Sequence, residues 1–199
     1  MINLDTIVRK LLNKLFHIRC EKYYLFEITI VTDKLNTPLL PTPYKVSEIT
    51  EKNIQEYDFS LFADKYPRFV ERIHNDSYKF YVVLDKRKVC YYTWISLTHF
   101  IFPRYVKEVR KLDVDTAFLF DSQCAKEYRG NGFHSYMNIF RLQKISEANK
   151  TKALGLILAG NMPALKVQLK SGMKITHIIS TFYCDWLNIN KIKFTKYEG

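Results

Sequence analysis

The stretch that decides the fold is Tyr128-Arg129-Gly130-Asn131-Gly132-Phe133, or YRGNGF, which holds two of the six glycines in 199 residues. It follows a segment typical of a strand, Thr116–Cys124, and precedes apolar residues at helical spacing from Phe133 onward. The first N–H groups of a helix have no partner inside it and, with the helix dipole, favour an anion. Gly130 and Gly132 let the backbone approach a ligand, and Arg129 adds a charge-assisted bond. The stretch predicts a phosphate-binding corner, with a simple turn as the alternative.

The composition is that of a globular protein, with 47% hydrophobic and 15% aromatic residues, and the length suits one domain. No apolar run is long enough to span a bilayer. Charged residues among the first fourteen exclude a signal-peptide core, so we expect a cytoplasmic protein. Four scattered cysteines without a CxxC pair predict neither a disulfide framework nor a metal site; they are Cys20, Cys90, Cys124 and Cys184.

The formal net charge of +11 favours an anionic partner: a nucleotide cofactor, an acidic sugar, a nucleic acid or a membrane surface. A basic surface that only keeps the protein soluble is the alternative. The basic residues are dispersed and form no long block, so nucleic acid is not the expected partner.

The first half of the chain alternates strand and helix signals. Apolar residues at helical spacing predict a helix over 4–15, either packed on the domain or making a peripheral membrane contact. Strands are predicted at 23–30, 44–49, 78–84 and 89–97, the last two paired as a hairpin, with helix over 51–75 interrupted near Pro67. The segment 98–111 is predicted as a loop or a short helix.

The second half predicts strand–helix–strand–helix–strand, which implies a mixed sheet with helices on its faces. A helix is predicted from Phe133 to about residue 150, and a buried central strand at 154–158. Asn161 is a plausible cap for a helix that ends at Gly172. Further strands are predicted at 174–187 and 192–195.

The glycine loop completes neither a P-loop nor a dinucleotide fingerprint. It resembles the acetyl-CoA loop of the GCN5-related N-acetyltransferases, Gln/Arg-x-x-Gly-x-Gly/Ala, placed on residues 129–134. Arg129 and Gly132 match this motif, while His134 departs from its last position.

A second motif of the same family lies one helix and one strand later. Asn161, Ala164, Lys170 and Gly172 match Asn-x-x-Ala-x-x-x-Tyr-x-Lys-x-Gly-Phe in register. Gln168 replaces the Tyr that often serves as general acid, and Met173 replaces the Phe. The resemblance covers roughly residues 116–179.

The resemblance implies an α/β (α+β) fold with a mixed, mostly antiparallel central sheet flanked by helices. Residues 44–199 would form the acetyltransferase domain, and residues 1–43 would be an N-terminal helix and strand extension packed on it as one structural unit.

It also implies an acetyl-CoA-dependent N-acetyltransferase that transfers the acetyl group directly to the primary amine of a small molecule. The strand end and the loop would bind acetyl-CoA through Ser122, Cys124, Ala125, Arg129, Gly130, Asn131, Gly132, Phe133, His134 and Ser135. Asn161 would contact the pantetheine arm or only cap its helix. No metal is implied.

The catalytic base is expected to be Asp121, with His99 and His134 as alternatives. Cys124 is interpreted as a small apolar strand residue rather than a nucleophile. Without a Tyr at position 168, another group or solvent must protonate the leaving thiolate.

The acceptor is expected to be an amino sugar or a nucleotide-linked sugar, because the pattern resembles bacterial acetyltransferases of surface polysaccharide synthesis. An aromatic wall within 44–111 suits a sugar ring, although most of its side chains are expected in the core; it comprises Tyr57, Phe59, Phe62, Tyr66, Trp94, His99, Phe100 and Phe102. A non-catalytic CoA-binding module and a basic nucleic-acid or membrane-binding protein are the alternatives.

Overall fold

The structure is a computed structural model that describes residues 18–198 apart from 32, 34, 36, 37, 104 and 107. The predicted first helix at 4–15 lies outside the described residues. Among the helices that are described, none has the length and apolar content needed to cross a bilayer.

Ten strands and three α-helices make up the regular structure of the described residues. The strands are β1 (Ile18–Thr29), β2 (Lys45–Ile49), β3 (Tyr78–Asp85), β4 (Lys88–Ser96), β5 (His99–Ile101), β6 (Val109–Lys111), β7 (Thr116–Cys124), β8 (Lys152–Leu158), β9 (Lys174–Cys184) and β10 (Ile189–Lys196). The helices are α1 (Tyr66–Ile73), α2 (Phe133–Glu147) and α3 (Met162–Lys170).

Eight of these strands form one sheet in the order β10-β9-β1-β8-β7-β4-β3-β2, and β5 pairs with β6 separately. Every neighbouring pair in the large sheet is antiparallel except β7 and β8, which are parallel. The predicted fold class, a mixed and mostly antiparallel sheet flanked by helices, is confirmed.

The parallel pair β7–β8 separates halfway along its length. Its register runs from Thr116↔Lys152 to Leu119↔Gly155 and stops there. Beyond that point β7 continues to pair with β4, through a bulge, and β8 continues to pair with β1. The facing edges of β7 and β8 therefore diverge and leave a cleft between them.

The strand of the predicted N-terminal extension lies inside the sheet. β1 pairs antiparallel with β8 on one side and with β9 on the other. β8 and β9 are thus parallel to each other, joined by α3, and have β1 between them. Phe26, at the centre of β1, is completely buried.

The two faces of the sheet bury separate apolar cores. One face is aromatic and packs under α1: Trp94 stacks on Phe80 with ring centroids 4.0 Å apart, and Phe69 of α1 lies beside both. The other face packs under α2, where Met137 and Ile145 are completely buried. Residues from both faces border the cleft between β7 and β8.

The helix predicted over 51–75 is shorter in the structure and begins later. It contains two short 3-10 turns, Ile54–Glu56 and Ser60–Phe62, before α1. Pro67 does not interrupt a helix but lies in the first turn of α1, where its missing N–H costs no helical bond.

The segment 98–111 also differs from its prediction as a loop or a short helix. It contributes β5 and β6, which pair with each other from His99↔Lys111 to Ile101↔Val109. Three-residue strands are too short to give a period that the sequence could show.

Candidate functional site

A groove of about 650 Å³ runs along the end of β7, the glycine loop, the first turn of α2 and the start of α3. All but one of the residues predicted to bind a cofactor line it: Ser122, Cys124, Arg129, Gly130, Asn131, Gly132, Phe133, His134, Ser135 and Asn161. The structure thus brings together two motifs that lie about thirty residues apart in the sequence.

The glycine loop lines this groove with every residue from Tyr128 to Ser135. Gly130 and Gly132 have φ angles of +90° and +75°, which side chains rarely allow. Among the described residues, no protein oxygen accepts a hydrogen bond from the N–H groups of 130–135, and the bonded helical ladder begins with Tyr136 N–H to Gly132 O at 3.1 Å. A Cβ added at either glycine would meet nothing within 4 Å. The corner is therefore an open set of aligned donors.

Ala125 is the predicted residue that the structure does not bring to the groove. Its side chain is buried, and its N–H donates to Cys90 O at 2.9 Å. Because that donor is occupied within the sheet, Ala125 has no free N–H to offer a ligand.

Cys124 lines the groove as a partly buried thiol. Burial raises its pKa to about 11, so the sulfur stays protonated at neutral pH. A protonated thiol is a poor nucleophile, which agrees with the interpretation of Cys124 as a small strand residue.

His134 is partly buried and contacts Tyr91, whose hydroxyl lies 2.6 Å from Nδ1. Burial, with a smaller effect from the nearby Arg141 guanidinium, lowers the pKa of His134 to about 4. The imidazole is therefore neutral at physiological pH. Tyr91 belongs to β4 and is itself completely buried.

Asn161 caps α3 through its side chain, since Oδ1 accepts a hydrogen bond from Ala164 N–H at 3.3 Å. The same residue lines the groove. The capping function is confirmed, and the contact with a pantetheine arm stays a prediction.

Asp121 lies at the bulge of β7, where the β4–β7 register skips a step, and has a φ of +47°. Its carboxylate forms ion pairs with Arg72 and with Arg68 at 3.0 Å, and Tyr92 donates a hydrogen bond to it at 3.1 Å. The side chain is 21% exposed. Two guanidinium groups of α1 contact its oxygens, which ties β7 to α1. A catalytic role for Asp121 stays a prediction.

His99, the other candidate base, lies on β5 and outside the groove lining. Its Nδ1 is 2.7 Å from Thr98 Oγ1.

Most of the aromatic residues expected to wall the acceptor site are core residues. Phe59, Phe62, Trp94, Phe100 and Phe102 are all buried. Tyr57 and Tyr66 are partly exposed and pack against that core. The expectation that the larger share belongs to the core is confirmed.

A deeper cleft of about 230 Å³ continues from the groove between the diverging ends of β7 and β8. The two spaces share Ser122, His134, Asn161 and Ala164 as lining residues. Arg141 of α2 and Gln168 of α3 also line the cleft. The groove and the cleft thus form one path from the glycine loop into the sheet.

Sequence reasoning missed several lining residues that lie outside the two motifs, including Tyr91, Val167 and Arg141. Arg141 carried a detectable signal, because it follows the buried Met137 by four positions and precedes the buried Ile145 by four. A cation within the buried stripe of a helix is unusual. The others reach the site through strand pairing or helix packing and have no local signature.

Comparison with known proteins gives matches among solved structures only: no family model and no curated protein matches the sequence. A putative acetyltransferase from the GNAT family of Novosphingobium aromaticivorans matches with a TM-score of 0.55 and 13% identity, covering 81% of this chain and 63% of that one. A GCN5-related N-acetyltransferase from Sphaerobacter thermophilus matches with a TM-score of 0.56 and 10% identity, covering 96% of this chain and 57% of that one.

A third match is AAC(6')-Iy in complex with the bisubstrate analogue CoA-S-monomethyl-acetylneamine, with a TM-score of 0.50 and 11% identity. It covers 67% of this chain and 92% of that one. This chain spans 58%, 63% and 50% of the first three structures that it matches, so those proteins are considerably longer. Identities this low support a conclusion about architecture alone: the chain has the fold of the GCN5-related N-acetyltransferases.

Proposed function

We propose that this protein is an acetyl-CoA-dependent N-acetyltransferase that transfers the acetyl group directly to the primary amine of a small molecule. The observation that carries the proposal is the row of N–H groups over 130–135, which have no partner among the described residues and lie in a groove that continues into a cleft between two diverging strands. Aligned donors at a helix N-terminus suit a pyrophosphate. The cleft suits an extended arm.

The residues present fit CoA at each point along this path. The N–H groups of the glycine loop and the exposed Arg129 would hold the pyrophosphate. Ser122 and Asn161 would line the pantetheine arm, and the diverging edges of β7 and β8 leave backbone groups that can bind its amides. When bound, acetyl-CoA supplies the acetyl group as a thioester.

The residues of the chain would position the two reactants and stabilise the charge that develops during the reaction. The bulge at Asp121 and Ser122 takes their backbone out of the β4–β7 ladder, so that an N–H there can stabilise charge on the carbonyl oxygen. Holding the amine beside the thioester removes much of the entropic barrier. The predicted base is Asp121, acting on the amine directly or through water.

The acceptor in this proposal is an amino sugar, nucleotide-linked and used in surface polysaccharide synthesis. The net charge of +11 suits an acceptor that carries phosphate. A structure of similar fold, AAC(6')-Iy, has been solved with an analogue that joins CoA to acetylneamine.

The first test is calorimetric titration of the protein with CoA, using a matched pair of variants at one position. Gly132→Asp places a carboxylate against the pyrophosphate, whereas Gly132→Asn has the same size and the same backbone strain but no charge. We expect Asp to weaken CoA binding at least about tenfold more than Asn does. If wild-type protein does not bind CoA, or if the two variants bind it equally, the proposed binding mode is wrong.

A non-catalytic CoA-binding module is the second candidate. It is favoured by Gln168 in place of a tyrosine and by the two ion pairs that hold Asp121. Release of free thiol from acetyl-CoA, measured with a panel of amino sugars and other amines, separates the two candidates. Turnover with any amine excludes the non-catalytic module, and CoA binding without turnover across the panel supports it.

A further inference from the structure

Within the part of the chain that the structure describes, Arg141 is a buried cation without an anionic partner. It is 1% exposed. Its guanidinium donates to Thr93 Oγ1 at 2.8 Å, Ser122 Oγ at 2.9 Å, Met137 O at 3.3 Å and Asn138 Oδ1. These acceptors are all neutral. Burying a charge is costly unless an opposite charge compensates for it, so the position of Arg141 calls for an explanation.

Two amide side chains connect this cation to α3. Asn138 Nδ2 donates to Gln168 Oε1 at 2.8 Å, and Gln168 Nε2 lies 3.3 Å from Asn138 Oδ1, which also accepts from Arg141. Gln168 is 6% exposed. Arg141, Asn138 and Gln168 therefore form one network, which we call the cleft-floor network, and two of its members line the cleft.

The contacts of Arg141 limit the kind of anion that it can stabilise. Thr93 and Ser122 occupy both N–H groups of Nη1, Met137 O occupies Nε, and Asn138 occupies one N–H of Nη2. At most one N–H of the guanidinium is left, whereas a bidentate contact with a carboxylate or phosphate needs two. The guanidinium can still act through its field on a charge that is centred on one atom.

The reaction proposed above produces such a charge at the inner end of the CoA arm. The amine nitrogen forms a bond to the acyl carbon, the carbon–sulfur bond breaks, and its electron pair leaves on sulfur. The amine's proton goes to the base or to water, and the thiolate later takes a proton from solvent. Gln168 stands where the family motif has the tyrosine that protonates this thiolate.

We propose that the cleft-floor network stabilises the departing thiolate of CoA electrostatically and so replaces a proton donor at position 168. This rests on the proposed function. Burial lowers the pKa of the Arg141 guanidinium. Arginine side chains in proteins stay protonated because their ordinary pKa is so high, so Arg141 is treated as a cation. Arg141 acts here as a positioning and electrostatic residue, and its field is strong because the site is shielded from water.

The test measures the thiol pKa of CoA bound to the protein, by titrating the ultraviolet absorbance of the thiolate. We expect bound CoA to have a thiol pKa at least about one unit below that of free CoA in the same buffer, a tenfold change in thiolate fraction. Arg141→Gln should remove the shift, and Arg141→Lys should retain part of it. The control is Lys166→Gln, which removes the same charge from the exposed surface of α3 and should leave the shift unchanged.

Each outcome bears on a separate part of the proposal. If wild-type protein does not bind CoA, the proposed function itself is wrong. If CoA binds with an unshifted thiol pKa, the acetyltransferase proposal survives and this inference is overturned. This wild-type measurement decides the matter even if Arg141→Gln does not fold.

Two further measurements test whether Arg141 acts on the leaving thiolate. In Arg141→Gln we expect kcat to fall by roughly tenfold to a hundredfold while KM for the amine is unchanged, because the interaction forms as the bond breaks. Succinyl-CoA should bind no better than acetyl-CoA. If it binds more tightly and Arg141→Gln abolishes the preference, then Arg141 recognises a carboxylate on the acyl group, and the thiolate proposal is overturned.

Discussion

At the scale of single residues, the site contains polar side chains that are shielded from water, either in a neutral form or without an opposite charge beside them. His134 shows this most clearly, because it occupies a loop position where the family motif has Gly or Ala. The structure accommodates the larger ring by turning it inward to Tyr91, with 2.6 Å between Nδ1 and the hydroxyl oxygen. No oxygen of the described residues accepts a hydrogen bond from the N–H groups of 130–135, so the larger ring does not occupy them.

The buried imidazole should make stability depend on pH. Burial lowers the pKa of His134 from 6.5 to about 4. Between these values the unfolded chain binds the proton and the native chain does not, so acidification favours unfolding. The full contribution is about 3 kcal/mol, present above pH 6.5 and lost progressively as the pH falls to about 4.

Denaturant unfolding at several pH values between 7.5 and 4 would measure this contribution. His134→Gln should show a shallower loss of unfolding free energy on acidification than wild type. His74→Gln removes an exposed histidine whose pair with the exposed Glu51 contributes little, so this variant should stay close to the wild-type curve. A His134→Gln curve that runs parallel to wild type would contradict the assignment.

At the scale of elements, β1 is the part of the fold that the sequence could not place. Its many aromatic and β-branched residues predict a strand at 23–30, and the structure has one at Ile18–Thr29. Its partners are β8 and β9, more than one hundred residues later. Nothing in a single sequence indicates such pairing, because register depends on which edges the rest of the fold leaves open. The boundary predicted at residue 44 stays a prediction.

If β1 is an integral strand of the sheet, its centre should contribute as much stability as any core residue. Phe26 is completely buried in the core beneath α2, whereas Lys22 of the same strand is exposed. We expect Phe26→Ala to lower the free energy of unfolding by about 3–5 kcal/mol and Lys22→Ala by less than about 0.5 kcal/mol. Urea unfolding measures both. Similar small losses in the two variants would mean that β1 is dispensable to the domain.

Elements with strong local signals were predicted well. Thr116–Cys124 agrees with its predicted bounds, and α3 has the expected Asn161 cap and a Gly172 with a φ of +86° just after its end. The glycine loop was predicted because its chemistry is local: two glycines, one arginine and a helix start. Tyr91 and Arg141 reach the same site from β4 and from the middle of α2, so their function depends on packing that a sequence pattern does not show.

At the scale of the whole molecule, the excess of basic residues should attract anionic ligands at long range. Salt can separate this attraction from the contacts made inside the groove. A protein with a formal charge of +11 attracts an anionic ligand over distances comparable to the Debye length, and added salt screens that attraction. Contacts inside the groove are screened much less, because they are partly shielded from water.

CoA affinity should therefore fall as salt is added, by several-fold to roughly tenfold between about 50 and 500 mM NaCl. Dephospho-CoA has the same pyrophosphate and arm but lacks the 3'-phosphate, so its affinity should fall less steeply over the same range. Calorimetry with both ligands gives the two slopes. Equal slopes would mean that the basic surface does not contribute to binding of the 3'-phosphate. If the affinity of both ligands were independent of salt, binding would depend only on the short-range donors of the glycine loop.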